Sequence, residues 1–153
     1  MSIKITTELV KELRDATGIS VIQCKRALEE AEGDMKKALV VLKKTSSDIA
    51  LKKADRVLGS GYIHAYVHGE GRIGAMLELK CETDFVAKNE VFKNLAKEIT
   101  MQIAATNPEN IEMLLEQPFI KNVEIKIISI IEEAIQKTGE KIEVGRFARF
   151  ELL

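Results

Sequence analysis

Gly61-Tyr62-Ile63-His64-Ala65-Tyr66-Val67, then His68-Gly69-Glu70-Gly71, then Arg72-Ile73-Gly74-Ala75-Met76-Leu77-Glu78-Leu79-Lys80-Cys81 follow one another without a break. The first segment alternates, the second holds turn-forming glycines, and in the third Ile73, Ala75, Leu77, Leu79 and Cys81 occupy every second position. Successive side chains of a strand point to opposite faces, so the pattern predicts a β-hairpin with one buried face. Downstream, Phe92, Leu95, Ala96, Ile99 and Ile103 recur at helical spacing until Asn107-Pro108 ends the run, which predicts a helix over about 87–106. After Gln117-Pro118, the residues Ile127, Ile130, Ile131 and Ala134 mark another helix ending at Gly139. Residues 142–152 have the β-branched and aromatic content of a closing strand. The expected class is α+β, a small antiparallel sheet of non-consecutive strands with helices packed on one face.

Upstream of the hairpin the periodicity is helical. Leu9, Val10, Leu13 and Ala16 form one apolar stripe, and Gly18 stands where a left-handed residue stops a helix, giving a first helix over about 7–17. Ser20-Val21-Ile22-Gln23 has the form of a capping box, and Cys24, Ala27, Leu28 and Ala31 carry the stripe on to Gly33. Asp34 is placed to cap a third helix whose face is Met35, Ala38, Leu39 and Leu42. Helices this short are marginal alone and must dock their stripes together, so a three-helix bundle is expected over 1–45. From Lys36 to Arg56 there are seven basic and two acidic residues with no strong apolar period, which reads as a linker over 46–60 ahead of an α+β core at 61–153.

Composition narrows the function. Of 153 residues, 46% are hydrophobic and 31% charged, with 23 Lys and Arg against 24 Asp and Glu, the balance of a chain that can bury a core. The net charge of −1 argues against a general nucleic-acid binder, and no direct nucleic-acid contact is expected. No apolar stretch approaches a membrane span, and Met1-Ser2-Ile3-Lys4-Ile5-Thr6 resembles neither a signal peptide nor a transit peptide, so a soluble cytoplasmic protein is expected. Cys24 and Cys81 match no paired-cysteine spacing and read as two thiols, Cys24 as core packing on its helical stripe.

Catalytic constellations are weak, and neither enzyme chemistry nor a cofactor is expected. His64 and His68, with Cys81 or Glu82, could be imagined as a zinc site of a hydrolase, but the spacing is unspecific. Gly69-Glu70-Gly71-Arg72-Ile73-Gly74 imitates a dinucleotide fingerprint, yet it opens a strand where phosphate binding needs a helix. The segment that stands out is Cys81-Glu82-Thr83-Asp84-Phe85-Val86-Ala87-Lys88-Asn89. Thr83 or Asp84 could cap the following helix and Phe85 could fold under the hairpin. Alternatively, a carboxylate beside an aromatic ring at a strand-to-helix corner is aimed at a partner.

The stretch C-E-T-D-F-V-A-K-N-E-x-F at 81–92 resembles the signature of elongation factor Ts, the nucleotide exchange factor for elongation factor Tu. Further stretches resemble the same family in order: L-V-K-E-L-R-D-A-T-G-I-S-V-I-Q-C-K-R-A-L at 9–28, its ubiquitin-associated-type bundle; G-x-I-H-x-Y-x-H-G-x-G-R-I-G at 61–74, its core hairpin; and L-E-Q-P-F-I-K with R-F-A-R-F-E-L, its C-terminal part. The resemblance implies that Thr83, Asp84, Phe85 and Val86 form the part that disturbs the partner's Mg²⁺ and phosphate site, Phe85 as an apolar wedge and Asp84 as the adjoining polar contact. It also implies that Arg14, Val21, Ile22 and Lys25 touch the partner's G domain, although two methionines are usual where Val21-Ile22 stand here. His68 matches a hairpin contact of larger, duplicated members.

Two departures follow from the same resemblance. A helical stretch usual in the family between Asn107-Pro108-Glu109-Asn110 and Leu115-Glu116-Gln117-Pro118 is absent. The chain also carries one core module where larger members carry two, so a second copy of itself is a possible partner beside elongation factor Tu. Two other classes remain open at this point: a ubiquitin-associated-like binding module resting on residues 1–45 without exchange activity, and the zinc hydrolase.

Overall fold

The structure, a computed structural model, describes residues 4–153. The expectation about a leader rests partly on Met1, Ser2 and Ile3, which lie outside the described residues. The first three helices are α1 (Thr7–Thr17), α2 (Val21–Glu30) and α3 (Met35–Lys52). Each begins on a residue that accepts a backbone N–H, namely Thr6 from Leu9, Ser20 from Gln23 and Asp34 from Lys37. Gly18, at φ 71°, ends α1 as its position predicts. Val10, Leu13, Ile19, Cys24, Ala27, Leu28, Ala31, Ala38 and Leu42 close into one apolar cluster.

The expected linker over 46–60 is corrected. Residues 46–52 continue α3, and only residues 53–59 connect it to the sheet. The Thr45-Ser46-Ser47 run lacks an apolar stripe because these hydroxyls bond along and across the helix instead. Thr45 and Ser46 donate to the carbonyls of Val41 and Leu42, while Ile49 and Ala50 pack on the second core. A second correction concerns α2. Its capping box is only half formed, since the Gln23 side chain turns away to accept a bond from Gln136 at 3.1 Å.

The remainder is mixed. Strands β1 (Ser60–His68), β2 (Ile73–Cys81) and β5 (Ile142–Glu151) make an antiparallel sheet in the order β1-β2-β5. Between them come α4 (Asp84–Ala87), α5 (Glu90–Thr106), α6 (Ile111–Glu116), a small hairpin of β3 (Pro118–Phe119) and β4 (Asn122–Lys126), and α7 (Ile127–Thr138). The expected 87–106 helix therefore starts at Glu90, because the Asn89 side chain accepts the Val91 N–H at 2.8 Å and restarts the chain there. The α6 turn and the β3–β4 hairpin are too short to carry a usable period in the sequence.

Tyr62, His64 and Tyr66 lie on the inner face of β1 opposite Leu79, Leu77 and Ala75. Helices α5 and α7 cover that face, sealing Phe92, Leu95, Ile99, Ile103, Ile127 and Ile131 over Leu77 and Leu79. Gly69, Glu70 and Gly71 all take positive φ, so the glycines answer a turn. Ile63, Val67, Met76 and Phe150 remain exposed on the outer face.

Candidate functional site

Where β2 runs out at Cys81, the chain turns through Glu82 and Thr83 into the single turn of α4. The Thr83 backbone is extended, and its hydroxyl oxygen accepts the Val86 N–H at 3.4 Å. A helix of four residues has little cooperativity of its own, so tertiary contacts must hold it. Val86 and Ala87 supply one anchor, buried in the core beside Cys81. Phe85, one helical step away, points outward and is 86% exposed. Burial of Phe85 under the hairpin is thereby excluded, and the Thr83 cap is realised together with a projecting ring.

A carboxylate clasp supplies the second anchor. Glu140, just past the end of α7, accepts the N–H of Glu82 at 3.1 Å, the N–H of Thr83 at 2.9 Å and the Thr83 hydroxyl at 2.7 Å. Glu82 answers in the other direction, accepting the Lys141 N–H at 2.7 Å and the Arg56 guanidinium at 3.3 Å. Partial burial pushes the Glu82 carboxyl up, but the Lys141 N–H and Arg56 outweigh it and hold its pKa below the ordinary value. Hydrogen bonds to ionised groups are about twice as strong as neutral ones, so these five bonds fix the corner in place. Asp84 is oriented in turn by the Ser60 hydroxyl, which donates to its Oδ1.

The Cys81 thiol is buried and donates to the Thr83 carbonyl at 3.3 Å. Burial, with the Glu140 carboxylate adding to it, pushes its pKa up, which makes it a structural group and a poor nucleophile.

The expected site residues fall in three places. Thr83, Asp84 and Phe85 share the exposed corner, whereas Val86 is only 5% exposed and anchors it, a correction to its expected contact with a partner. Val21, Ile22 and Lys25 lie along one exposed face of α2, with Ile22 65% exposed, and Arg14 is exposed on the last turn of α1. Lys25 pairs with Glu29 at 3.9 Å. His68 is exposed at the far end of β1, its Nδ1 bonded to the Tyr66 hydroxyl at 2.7 Å.

The zinc reading fails on register. Cys81 pairs across from Ser60, while His64 and His68 are opposite Leu77 and Ile73, so His68 is roughly 27 Å along the strands from the thiol. Among the described residues no cluster of His, Cys, Asp and Glu is arranged to hold a metal ion. No described helix is long and apolar enough to cross a membrane.

Glu140, Arg56 and Ser60 carried no signal in the sequence, because their partners lie 57, 26 and 24 residues away and short-range pattern cannot reach them. The Gly139 helix stop marked where Glu140 would emerge, though not what it would hold.

A family model described as Elongation factor TS matches residues 82–152, from the clasped corner to the closing strand. The chain is 41% identical to the elongation factor Ts of Carboxydothermus hydrogenoformans, covering 97% of this chain and 89% of that protein. Identity to the elongation factor Ts of Heliobacterium modesticaldum is 39%, over 97% and 90%. For that of Moorella thermoacetica it is 38%, over 94% and 93%. The first of these alignments runs over 193 positions against a chain of 153 residues, so the relative carries positions within the matched span that this chain lacks. With similarity of this degree along nearly its whole length, and with the family's matched region beginning at the clasped corner, the chain belongs to the elongation factor Ts family.

Proposed function

We propose that the protein is a guanine nucleotide exchange factor of translation elongation, which binds elongation factor Tu in the cytoplasm and promotes GDP release by disturbing its Mg²⁺ and phosphate site. The observation that carries this reading is Phe85, a large apolar side chain held in solvent on a corner that five hydrogen bonds and two buried residues keep still. A wedge that is rigid before it meets its partner loses little freedom on insertion. Asp84 then brings a carboxylate toward phosphate-binding groups, where Coulomb terms grow as water leaves.

No covalent step is needed. If the factor binds the nucleotide-free GTPase more tightly than the GDP form by some ratio, GDP must weaken the factor's hold by the same ratio. Burying the Phe85 ring contributes ~2–3 kcal/mol at most, so the exposed face of α2 adds binding that the wedge alone lacks.

The test is release of a fluorescent GDP analogue from elongation factor Tu with and without the protein; release that the protein leaves unaccelerated overturns the proposal. Val21→Asp separates binding from folding. Val21 is exposed, so the fold tolerates the charge, whereas an unpaired carboxylate in an apolar contact weakens complex formation by about tenfold or more. Titration of the complex by calorimetry reads the loss, and unchanged affinity removes α2 from the contact.

We further propose that a second copy of the chain covers the outer sheet face. Ile63, Val67, Met76 and Phe150 are exposed there, and its charges come in both signs, Glu78 with Lys80 and Arg146. Two such faces meet without an excess of one charge. Sedimentation equilibrium should show a dimer that Met76→Glu dissociates, and a monomer at every concentration refutes it.

A further inference from the structure

The two exposed contact surfaces belong to different clusters of the fold, and their apolar cores do not merge. The bundle core and the sheet core are separate, with a cleft of about 480 Å³ between them lined by Ile19, Leu39 and Leu42 on one side and Ile125, Ser129 and Glu132 on the other. What joins the two sides is the unbroken helix α3, whose Ala38 and Leu42 lie in the bundle core and whose Ile49 and Ala50 pack on the sheet core, together with a polar set that runs through α7 and reaches α2. Gln136, 7% exposed, accepts the Ser46 hydroxyl of α3 and donates to Gln23 Oε1 of α2 at 3.1 Å. Beside it, Ser47 donates to Glu132 at 2.7 Å. Four residues after Gln136, Glu140 holds Thr83, and Arg56 reaches both the Gly139 carbonyl at 3.4 Å and Glu82.

These bonds end beside the residues of interest. Gln23 follows Ile22 directly, and Thr83 stands two positions before Phe85. A single short segment, residues 136–140, the end of α7 and its Gly139 stop, therefore grips the base of the α2 face with one side chain and the base of the wedge with another. Resting on the exchange reading above, we propose that Gln136 is a positioning residue: through Gln23 it sets the spacing between the α2 face and the Phe85 corner so that both engage the GTPase at once. A buried amide that bridges three helices has this use because its bonds are directional; α3 is held on the sheet core by Ile49 and Ala50, whereas α2 meets α7 through the Gln23 amide beside an open cleft.

The consequence is one of effective concentration. With the joint rigid, binding of one surface presents the other in register; with the joint loose, the second contact must find its place. Gln136→Met keeps the volume of the side chain and removes both bonds. Gln23→Ala removes only the bond to α2, from a partly exposed side chain whose loss leaves the bundle core intact.

The test pairs a measurement on the free factor with one on the complex. Spin labels placed by Arg26→Cys and Lys88→Cys, both exposed positions, report the spacing. The unaltered joint should give one narrow distance, and both Gln136→Met and Gln23→Ala should broaden it. In fluorescent GDP release from elongation factor Tu, both variants should raise the half-saturating factor concentration about tenfold and leave the rate at saturation within about twofold. A narrow distance in the folded variants, or an unchanged half-saturation despite broadening, overturns the proposal. If Gln136→Met fails to melt cooperatively, Gln23→Ala decides alone. Failure of the exchange reading is told apart, since Phe85→Ala would then release GDP as the parent does whatever the labels report.

Discussion

On the exchange reading, Phe85→Ala should lower the rate of GDP release that the factor stimulates from elongation factor Tu by about thirtyfold, with the melting temperature of the factor unchanged. The size follows from the wedge. Burial of a Phe side chain contributes ~2–3 kcal/mol, each tenfold in an equilibrium corresponds to ~1.4 kcal/mol, and alanine leaves only a methyl group of that contact. The unchanged stability follows from 86% exposure, since a ring already in water has no burial to lose when it is trimmed. Val86 and Ala87 still anchor α4, and Thr83 still meets Glu140, so the corner keeps its shape without the ring. The measurement is stopped-flow release at saturating factor beside a thermal melt. Parent-like release with a lowered melt would mean that the ring serves the factor's own fold.

Phe92→Ala has the opposite outcome. Seven residues further on, this second phenylalanine is 0% exposed, on the first turns of α5 beneath the hairpin. Removing it deletes a large buried side chain from the core cluster that also holds Leu77, Leu79 and Ile99 and leaves a cavity there, a change of ~3–5 kcal/mol. In a chain of 153 residues this lowers the melting point by about 10 °C. Urea unfolding with a matched slope reads the difference directly, and a loss under about 1 kcal/mol would show that the core at this point is loosely packed. If the exchange reading holds, the pair of substitutions separates two like residues, one whose loss is felt in the interaction and one whose loss is felt in the fold.

Local pattern is enough for the hairpin, for the helix stops at Gly18 and Gly139, and for the caps at Ser20 and Asp34, because each depends on residues within one turn or one alternation of the chain. The T-D-F corner was legible as a motif. The direction in which Phe85 points was open, since a ring after a strand serves equally well inside or out until the contacts of its neighbours are known. Residues 46–52 look like linker for a related reason: their hydroxyls satisfy a helix and a partner helix together, and without Gln136 and Glu132 in place nothing in Thr-Ser-Ser marks a buried face.

Chain-local chemistry thus settled the β1–β2 hairpin, the starts of α2 and α3 and the stops at Gly18 and Gly139, since propensity, capping and alternation act over a few residues. Tertiary structure alone decided that Glu140 grips Thr83, that Gln136 grips Gln23, and that Val86 turns inward while Phe85 turns out. Those choices depend on groups tens of residues apart being brought within 3 Å or so, and the directional bonds that select among them exist only once the helices and the sheet have packed.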